Sequence, residues 1–134
     1  DLFHGEIVAY STGTSQDMAL VYRALTKLKH RGGYKKRALI HSDQGIQFTN
    51  AGYQKRLADM TLTPSMSRRG NCWDNACIEN FFSHLKSEMQ IFGEPKTLED
   101  VQAAVDAYIE YYNHKRIQTK LKMSPVAFRT SKAA

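Results

Sequence analysis

A short stretch from Ala38 to Gly45, A-L-I-H-S-D-Q-G, decides the fold of this chain. It opens with the apolar run Ala38-Leu39-Ile40, which predicts a short buried β-strand. Polar residues follow at once, and Asp43 is among them. In α/β sheets, ligands bind beyond the carboxyl ends of the strands. Asp43 is therefore the first candidate for a functional residue.

Helices and strands alternate on both sides of this stretch, which indicates an α/β domain. Two further strands are predicted, over Glu6–Ser11 and Leu62–Met66. Four helices are predicted. The first follows a capping box of Thr14 and Asp17, and the second covers Asn50–Met60 with Tyr53 and Leu57 facing inward. The third begins near Asn75, and the fourth follows a second capping box of Thr97 and Asp100.

The last two helices carry apolar stripes at helical spacing, so we expect both to pack against a core. The stripes consist of Ile78, Phe81, Phe82, Leu85 and Met89 in the first helix, and of Leu98, Val101, Val105, Tyr108, Ile109 and Tyr112 in the second.

The length of 134 residues predicts a single domain, residues 1–134, with a basic tail from about residue 115. No run of eighteen apolar residues occurs, so no membrane-spanning helix is expected. The net charge is +6, and the basic residues are clustered: seven lie between Arg23 and Arg37 and six lie from Lys115 onward. Such clusters favour a nucleic-acid partner, although a basic surface that only aids solubility has a similar pattern.

The two cysteines, Cys72 and Cys77, form a C-x4-C pair with no second pair. This spacing is a poor match to a zinc site, and two reduced thiols are expected instead.

Asp43 and Glu79 are separated by thirty-five residues. Glu79 is predicted one turn into a helix and beside its apolar stripe, near the core boundary, where an acid is usually paired or bound to metal. Two such carboxylates would suit magnesium, which prefers oxygen ligands and serves phosphoryl transfer. The alternative is an aspartate in a turn and a glutamate on a helix flank.

Longer motifs narrow these alternatives. The segments H-S-D-Q-G-I-Q-F-T-N (41–50), S-M-S-R-R-G-N-C-W-D-N-A-C-I-E-N-F-F (65–82) and Y-Y-N-H-K-R (111–116), followed by L-K-M-S-P-V-A-F from Leu121, closely resemble the catalytic core of bacterial insertion-sequence transposases. The match is to the insertion sequence three family, whose core is similar to retroviral integrases and has a ribonuclease H-like fold. The resemblance runs from Asp1 to about Arg129.

The resemblance implies a metal-dependent enzyme that nicks DNA at element ends and joins the freed 3′-hydroxyl to another phosphodiester. In that family two Asp and one Glu hold two Mg²⁺ (or Mn²⁺) ions, and by resemblance Asp43 is the second Asp and Glu79 the Glu. The family's first Asp lies in a D-I-T-like motif on its first strand, and this sequence contains no such motif.

This departure leads to three expectations. The chain is a ribonuclease H-like mixed sheet flanked by helices that lacks its first two strands; Asp1 is not a metal ligand; and the chain alone does not catalyse transposition. Open sheet edges would then invite rearranged pairing or dimerisation.

By resemblance, the loop before Glu79 faces DNA near the active site, and its two arginines are suited to bind phosphates. The DNA-contact candidates are Arg68, Arg69, Asn71, Asn75, Lys86 and Arg116. Arg116 and Asn113 are also expected to pin the long helix. His41 is expected to be a packed strand residue rather than a base.

The expected partners are DNA, as element ends and target, and further copies of the chain in a homo-oligomer. The expected location is the bacterial cytoplasm, with nucleoid association during transposition. Two other functions stay open: a ribonuclease H-like nuclease, and a non-catalytic nucleic-acid-binding remnant of a transposase.

Overall fold

The computed structural model describes residues 1–67 and 75–133. Within them the chain divides into two compact units. The first consists of residues Asp1–Val8 and Ile78–Ala134 and is called the helical unit below. The second consists of residues Ala9–Cys77 and is called the sheet unit.

The sheet unit is built around a parallel β-α-β crossover. Its elements are α1 (Met18–Arg31), β1 (Leu39–Ser42), α2 (Ile46–Thr49), α3 (Ala51–Asp59) and β2 (Thr63–Met66). β1 pairs in parallel with β2, in a register that sets Leu39 opposite Thr63 and Ser42 opposite Met66. Parallel strands need a crossover connection, and α2 and α3 provide it.

The core of the sheet unit lies between its helices and its strands. Its buried members are Leu25 from α1, Tyr53 and Leu57 from α3, and Met60 and Leu62 from the turn into β2. Tyr53 and Leu57 are four residues apart and face inward, as their spacing predicted. The parallel strand pair agrees with the α/β class predicted from the sequence.

In its described residues, the helical unit contains three α-helices and one 3₁₀ helix. They are α4 (Ala76–Glu88), of which the part from Ile78 onward belongs to this unit, the 3₁₀ helix Met89–Phe92, α5 (Leu98–His114) and α6 (Pro125–Ala133). α5 begins with the predicted capping box, in which Thr97 and Asp100 bind each other's backbone N–H groups. Its core is aromatic: the Phe81 and Tyr112 rings meet edge to face at 5.0 Å, and Tyr108 is fully buried.

The predicted strand over Glu6–Ser11 is wrong, because this segment has no regular structure. A strand needs a ladder partner for its backbone, and a side chain takes that place here. Asn113 Oδ1 accepts the Ile7 N–H at 2.9 Å, and Asn113 Nδ2 donates to the Ile7 carbonyl at 3.0 Å.

The predicted capping box of Thr14 and Asp17 is also wrong, by one helical turn. Asp17 itself caps α1, since its Oδ1 accepts the Leu20 N–H at 2.8 Å. The Ser15 hydroxyl donates to the other oxygen of Asp17 at 2.7 Å. Residues 14–16 therefore precede the helix instead of forming its first turn. Two short helices, α2 and α6, were not predicted at all.

The apolar stripe of α4 is only partly buried. Phe81 is buried, whereas Ile78 and Phe82 are each about half exposed. The stripe therefore predicted the helix correctly, but it overestimated how many of the apolar side chains of that helix are buried. None of the helices described by the structure has the length and apolar character that crossing a membrane requires.

Candidate active site

Asp43 follows directly after β1 and is exposed, at the carboxyl end of the strand. Its Oδ1 accepts the backbone N–H of Gly45 at 2.8 Å, which forms a local Asx-type turn. A Cβ atom on Gly45 would lie 2.9 Å from this oxygen, so glycine is the residue that lets the turn close. The turn fixes one carboxylate oxygen, and no hydrogen bond to the second oxygen occurs among residues 1–67 and 75–133.

A polar network lies at the same end of the strand pair and centres on Ser67. Its N–H donates to the Ser42 carbonyl at 2.9 Å, and its carbonyl accepts from Gln44 Nε2 at 3.1 Å. Its hydroxyl donates to Asn75 Oδ1 at 3.0 Å. Because Ser42 and Gln44 flank Asp43, these bonds anchor the Ser42 backbone on one side of the carboxylate and the Gln44 side chain on the other.

His41 belongs to this network through both ring nitrogens. Nδ1 lies 2.9 Å from Ser65 Oγ and Nε2 lies 3.0 Å from Ser67 Oγ. The Ser67 hydroxyl also lies 3.3 Å from the Ser42 carbonyl, and the direction of each His41 bond depends on the imidazole tautomer. His41 is therefore bonded within the fold as a strand residue, but its side chain is exposed, so the prediction that it is packed is wrong.

Sequence reasoning missed Ser67, which is buried. The available signal was the S-M-S alternation at residues 65–67, which places Ser65 and Ser67 on one face of β2. Ser65 is the register partner of His41.

Glu79 lies in the first turn of α4, in the helical unit, and is exposed. The prediction that it sits at a core boundary is wrong, because α4 fully buries only Phe81 of its predicted stripe. A carboxylate in a first helical turn is favoured by the helix dipole. Asp43 and Glu79 thus fall in different units, and each is an exposed carboxylate at the end of a regular element.

The described residues include three of the six DNA-contact candidates. Arg68, Arg69 and Asn71 lie outside the described residues, as do Cys72 and Trp73. Asn75 is half-buried and binds Ser67 through Oδ1. Lys86 is exposed on α4.

Arg116 makes a two-pronged ion pair with Glu88 in the helical unit. Its Nε lies 2.7 Å from Glu88 Oε2 and its Nη2 lies 2.6 Å from Oε1, and the Tyr108 hydroxyl donates to Oε2 at 3.1 Å. The Arg116 guanidinium, followed by the Tyr108 hydroxyl, holds the pKa of Glu88 below its ordinary value. Arg116 therefore pins α5 to α4, as one of its two predicted roles required, while its contact with DNA stays a prediction.

Among residues 1–67 and 75–133, no three His, Cys, Asp or Glu side chains are grouped as a metal site. The chemistry of the two candidate carboxylates nevertheless fits a hard divalent cation, since each is exposed and offers oxygen donors. Cys77 is exposed and has a free thiol.

The positive charge is concentrated in the sheet unit. Its described residues include nine Lys and Arg against three Asp. The helical unit has eight Lys and Arg against nine Asp and Glu. A polyanion would therefore be attracted chiefly to the unit that carries Asp43.

Comparison with known proteins agrees with these features. A family model described as "Integrase core domain" matches residues 1–72, and a second model with the same description matches residues 79–132. An uncharacterized transposase-like protein of Haemophilus influenzae is 41% identical over 97% of this chain and 60% of its own length. The putative transposase InsK for insertion sequence element IS150 of Escherichia coli is 39% identical over 96% of this chain and 46% of its own length.

Other matches extend this pattern to insertion sequence three and to solved structures. The transposase InsF for insertion sequence IS3A of Escherichia coli is 36% identical over 87% of this chain and 41% of its own length. The catalytic core domain of BIV integrase superposes with a TM-score of 0.73 at 20% identity, over 97% of this chain and 82% of that one. A chain of an intasome structure of simian T-cell lymphotropic virus also superposes with a TM-score of 0.73. It is 12% identical, and the match covers 87% of this chain and 41% of that one.

The structural matches show the ribonuclease H-like fold, and the sequence matches show the family. The chain spans 41% to 60% of the length of the three transposase relatives named above. It belongs to the integrase core family, in the form found in bacterial insertion-sequence transposases.

Proposed function

We propose that this chain is the catalytic core of a DNA transposase that nicks element ends and joins the freed 3′-hydroxyl to a second phosphodiester. The observation that carries the proposal is the match to integrase core models over residues 1–72 and 79–132, together with relatives named as transposases. An exposed carboxylate at the carboxyl end of β1 and a strongly basic sheet unit support it.

In this proposal Asp43 and Glu79 are the metal ligands of the chain. A bound Mg²⁺ or Mn²⁺ pair would favour deprotonation of the attacking hydroxyl and offset charge on the leaving oxygen. The Asx-type turn at Gly45 orients the Asp43 carboxylate, and the network around Ser67 anchors the residues on either side of it. The fold thus supplies a pre-positioned oxygen donor.

DNA contacts complete the proposal. Arg68, Arg69 and Asn71 are proposed to bind phosphates near Asp43, with Asn75 and Lys86 as further contacts. Arg116 is the weakest of the six candidates, because Glu88 occupies both prongs of its guanidinium. The protein is further proposed to act in the cytoplasm as a homo-oligomer on element ends and target DNA.

The decisive assay is strand transfer with a labelled element end in Mg²⁺. It is run on the chain as given and on a chimaera that adds upstream residues from the Haemophilus influenzae relative. In the active form, Asp43→Asn and Glu79→Gln are each expected to lower the rate on the order of a hundredfold or more, since several kcal/mol of transition-state stabilisation depends on these ligands. Asp59→Asn and Glu110→Gln, which change exposed carboxylates of α3 and α5, serve as matched controls.

Three outcomes would contradict parts of the proposal. Full activity of both site variants would remove the carboxylate assignment. Strand transfer by the chain as given would overturn the expectation that it is inactive alone. Cleavage of RNA–DNA hybrids without strand transfer would favour a ribonuclease H-like nuclease instead.

A further inference from the structure

A basic groove runs between α1 and α3 on the sheet unit, and its cations lie outside the stretch from residue 65 to 82 that carries the main site motif. It has a volume of about 440 Å³ and is lined by Ala19, Tyr22, Arg23, Thr26, Lys27 and Arg56. Three of these six residues are cationic and none is acidic. A neighbouring depression of about 230 Å³ shares Thr26 and Arg56 and adds Lys29 and one acid, Asp59.

Two of the three cations of this groove lie against aromatic rings. The Arg56 guanidinium lies 4.2 Å from the centroid of the Tyr22 ring, and Lys27 Nζ lies 5.0 Å from that of Tyr10. Tyr22 is itself confined, because its hydroxyl occupies the space where a Cβ on Gly52 would lie. Stacking uses the face of the guanidinium and leaves its N–H edge for an acceptor.

Most of that edge is available. The one hydrogen bond of the Arg56 side chain within the described residues is a long one, from Nη1 to Thr26 Oγ1 at 3.4 Å. Arg23 likewise has one long bond there, from Nε to Ser11 Oγ at 3.4 Å. The nearby acid is Asp17, the N-cap of α1, which accepts hydrogen bonds from Leu20 and Ser15 and also attracts Arg23 through its charge.

The spacing of these cations suits a phosphate backbone. Arg23 and Lys27 are four residues apart on α1, so they lie about 6 Å apart along its axis. Two nucleotide steps advance one strand of a DNA duplex by about 7 Å.

We propose that the α1–α3 groove binds the phosphate backbone of duplex DNA as a second contact, separate from the segment between Ser65 and Phe82. This inference rests on the proposed function for the identity of the polyanion. It adds an interaction surface whose role is to hold DNA by its backbone, independent of sequence. Arg23, Lys27 and Arg56 are its contact residues.

The test measures binding of a duplex oligonucleotide with no element end, by fluorescence anisotropy between 50 and 200 mM salt in EDTA. Each lost phosphate contact lowers the slope of log K against log salt by about 0.9. The Arg23→Gln/Lys27→Gln variant should therefore lose about 1.8 from the slope. Raising the salt from 50 to 200 mM should weaken DNA binding by both chains, and the factor of weakening should be about twelve times smaller for this variant than for the unmodified chain.

Two matched variants separate the groove from total charge. Lys35→Gln/Lys36→Gln removes the same charge from exposed residues of the same unit, outside the groove, and should change the slope by less than half as much. Arg23→Lys/Lys27→Arg keeps the charge and should keep the slope. Equal losses in the two Gln variants, or an unchanged slope in the groove variant, would overturn the proposal.

The identity of the occupant and the proposed chemistry are tested apart from each other. If polyglutamate binding depends on Arg23 and Lys27 while DNA binding does not, the groove serves an acidic polypeptide and the proposal fails. Because EDTA removes divalent metal, DNA binding should persist in the Asp43→Asn variant. A failed strand-transfer assay would then contradict the catalytic proposal without contradicting the proposal that the groove binds DNA.

Discussion

Replacing Glu88 by glutamine tests whether the Arg116–Glu88 pair holds the helical unit together. Glu88 accepts three hydrogen bonds, two from Arg116 and one from Tyr108, and its side chain is 23% exposed. Glutamine keeps the shape but removes the charge, and it turns an NH₂ group toward donors. A hydrogen bond to a charged group contributes about 1.5–3 kcal/mol, and breaking a fully buried pair costs about 3–5 kcal/mol. We expect a loss of about 2 kcal/mol for this partly exposed pair.

Urea denaturation followed by circular dichroism measures this loss. With a denaturant slope of about 2 kcal/mol per molar, the midpoint should fall by about 1 M. Glu110→Gln is the control, because Glu110 is an exposed α5 carboxylate whose pairing with His114 is long, at 3.7 Å. It should change stability by less than about 0.5 kcal/mol. A Glu88→Gln midpoint no lower than that of Glu110→Gln would refute the reasoning.

The same pair predicts a pH dependence. Arg116 lowers the pKa of Glu88 in the folded chain below the ordinary value of 4.5. The pair therefore stabilises the fold fully above that ordinary value, and the stabilisation is lost as the pH falls through the lowered pKa. The stability difference between the unmodified chain and Glu88→Gln should shrink as the pH is lowered from 6 toward 3. A difference that stays constant over this range would contradict the assignment.

Three further predictions concern single residues. Asn113→Asp should cost about 2–4 kcal/mol in urea denaturation and speed amide exchange at Ile7, because it removes a donor and buries a charge at a site 8% exposed. Ser67→Ala should lower the unfolding free energy by about 1–3 kcal/mol, since it leaves Asn75 Oδ1 and His41 Nε2 without their hydroxyl partner, while His41 Nδ1 keeps its bond to Ser65. Gly52→Ala should cost about 1–3 kcal/mol through overlap with Tyr22, whereas Gly32→Ala, with a φ of +62° and open space, should cost about 1 kcal/mol from backbone strain alone.

The sequence predicted elements well where a local pattern was sufficient to define them. The capping box at Thr97, the inward pair Tyr53 and Leu57, and the existence of a strand before Asp43 are all local signals, and all three are confirmed. The burial predicted for that strand is wrong, because Leu39 is 72% exposed and Ile40 is only partly buried. The motifs around Asp43 and Glu79 led to the correct family. These features need only neighbours in sequence or a resemblance carried by many residues.

Features that depend on distant partners could not be predicted. The segment from Glu6 resembles a strand in composition, but Asn113, 106 residues from Ile7, provides both backbone hydrogen bonds. The exposure of Glu79 and Phe82 depends on what packs against α4, which its own stripe does not reveal. Ser67 became visible as a network centre only once β1 and β2 were paired in register.

A double variant is the most direct test of the proposal that Asp43 and Glu79 are ligands of the same metal site. The rate of strand transfer is measured for Asp43→Asn, Glu79→Gln and the two combined, in the form of the protein that is active. Residues that act as a unit give strongly non-additive effects. If the two carboxylates act together, the double variant should be about as slow as the slower single variant. Effects that multiply, with each substitution lowering the rate independently, would contradict it.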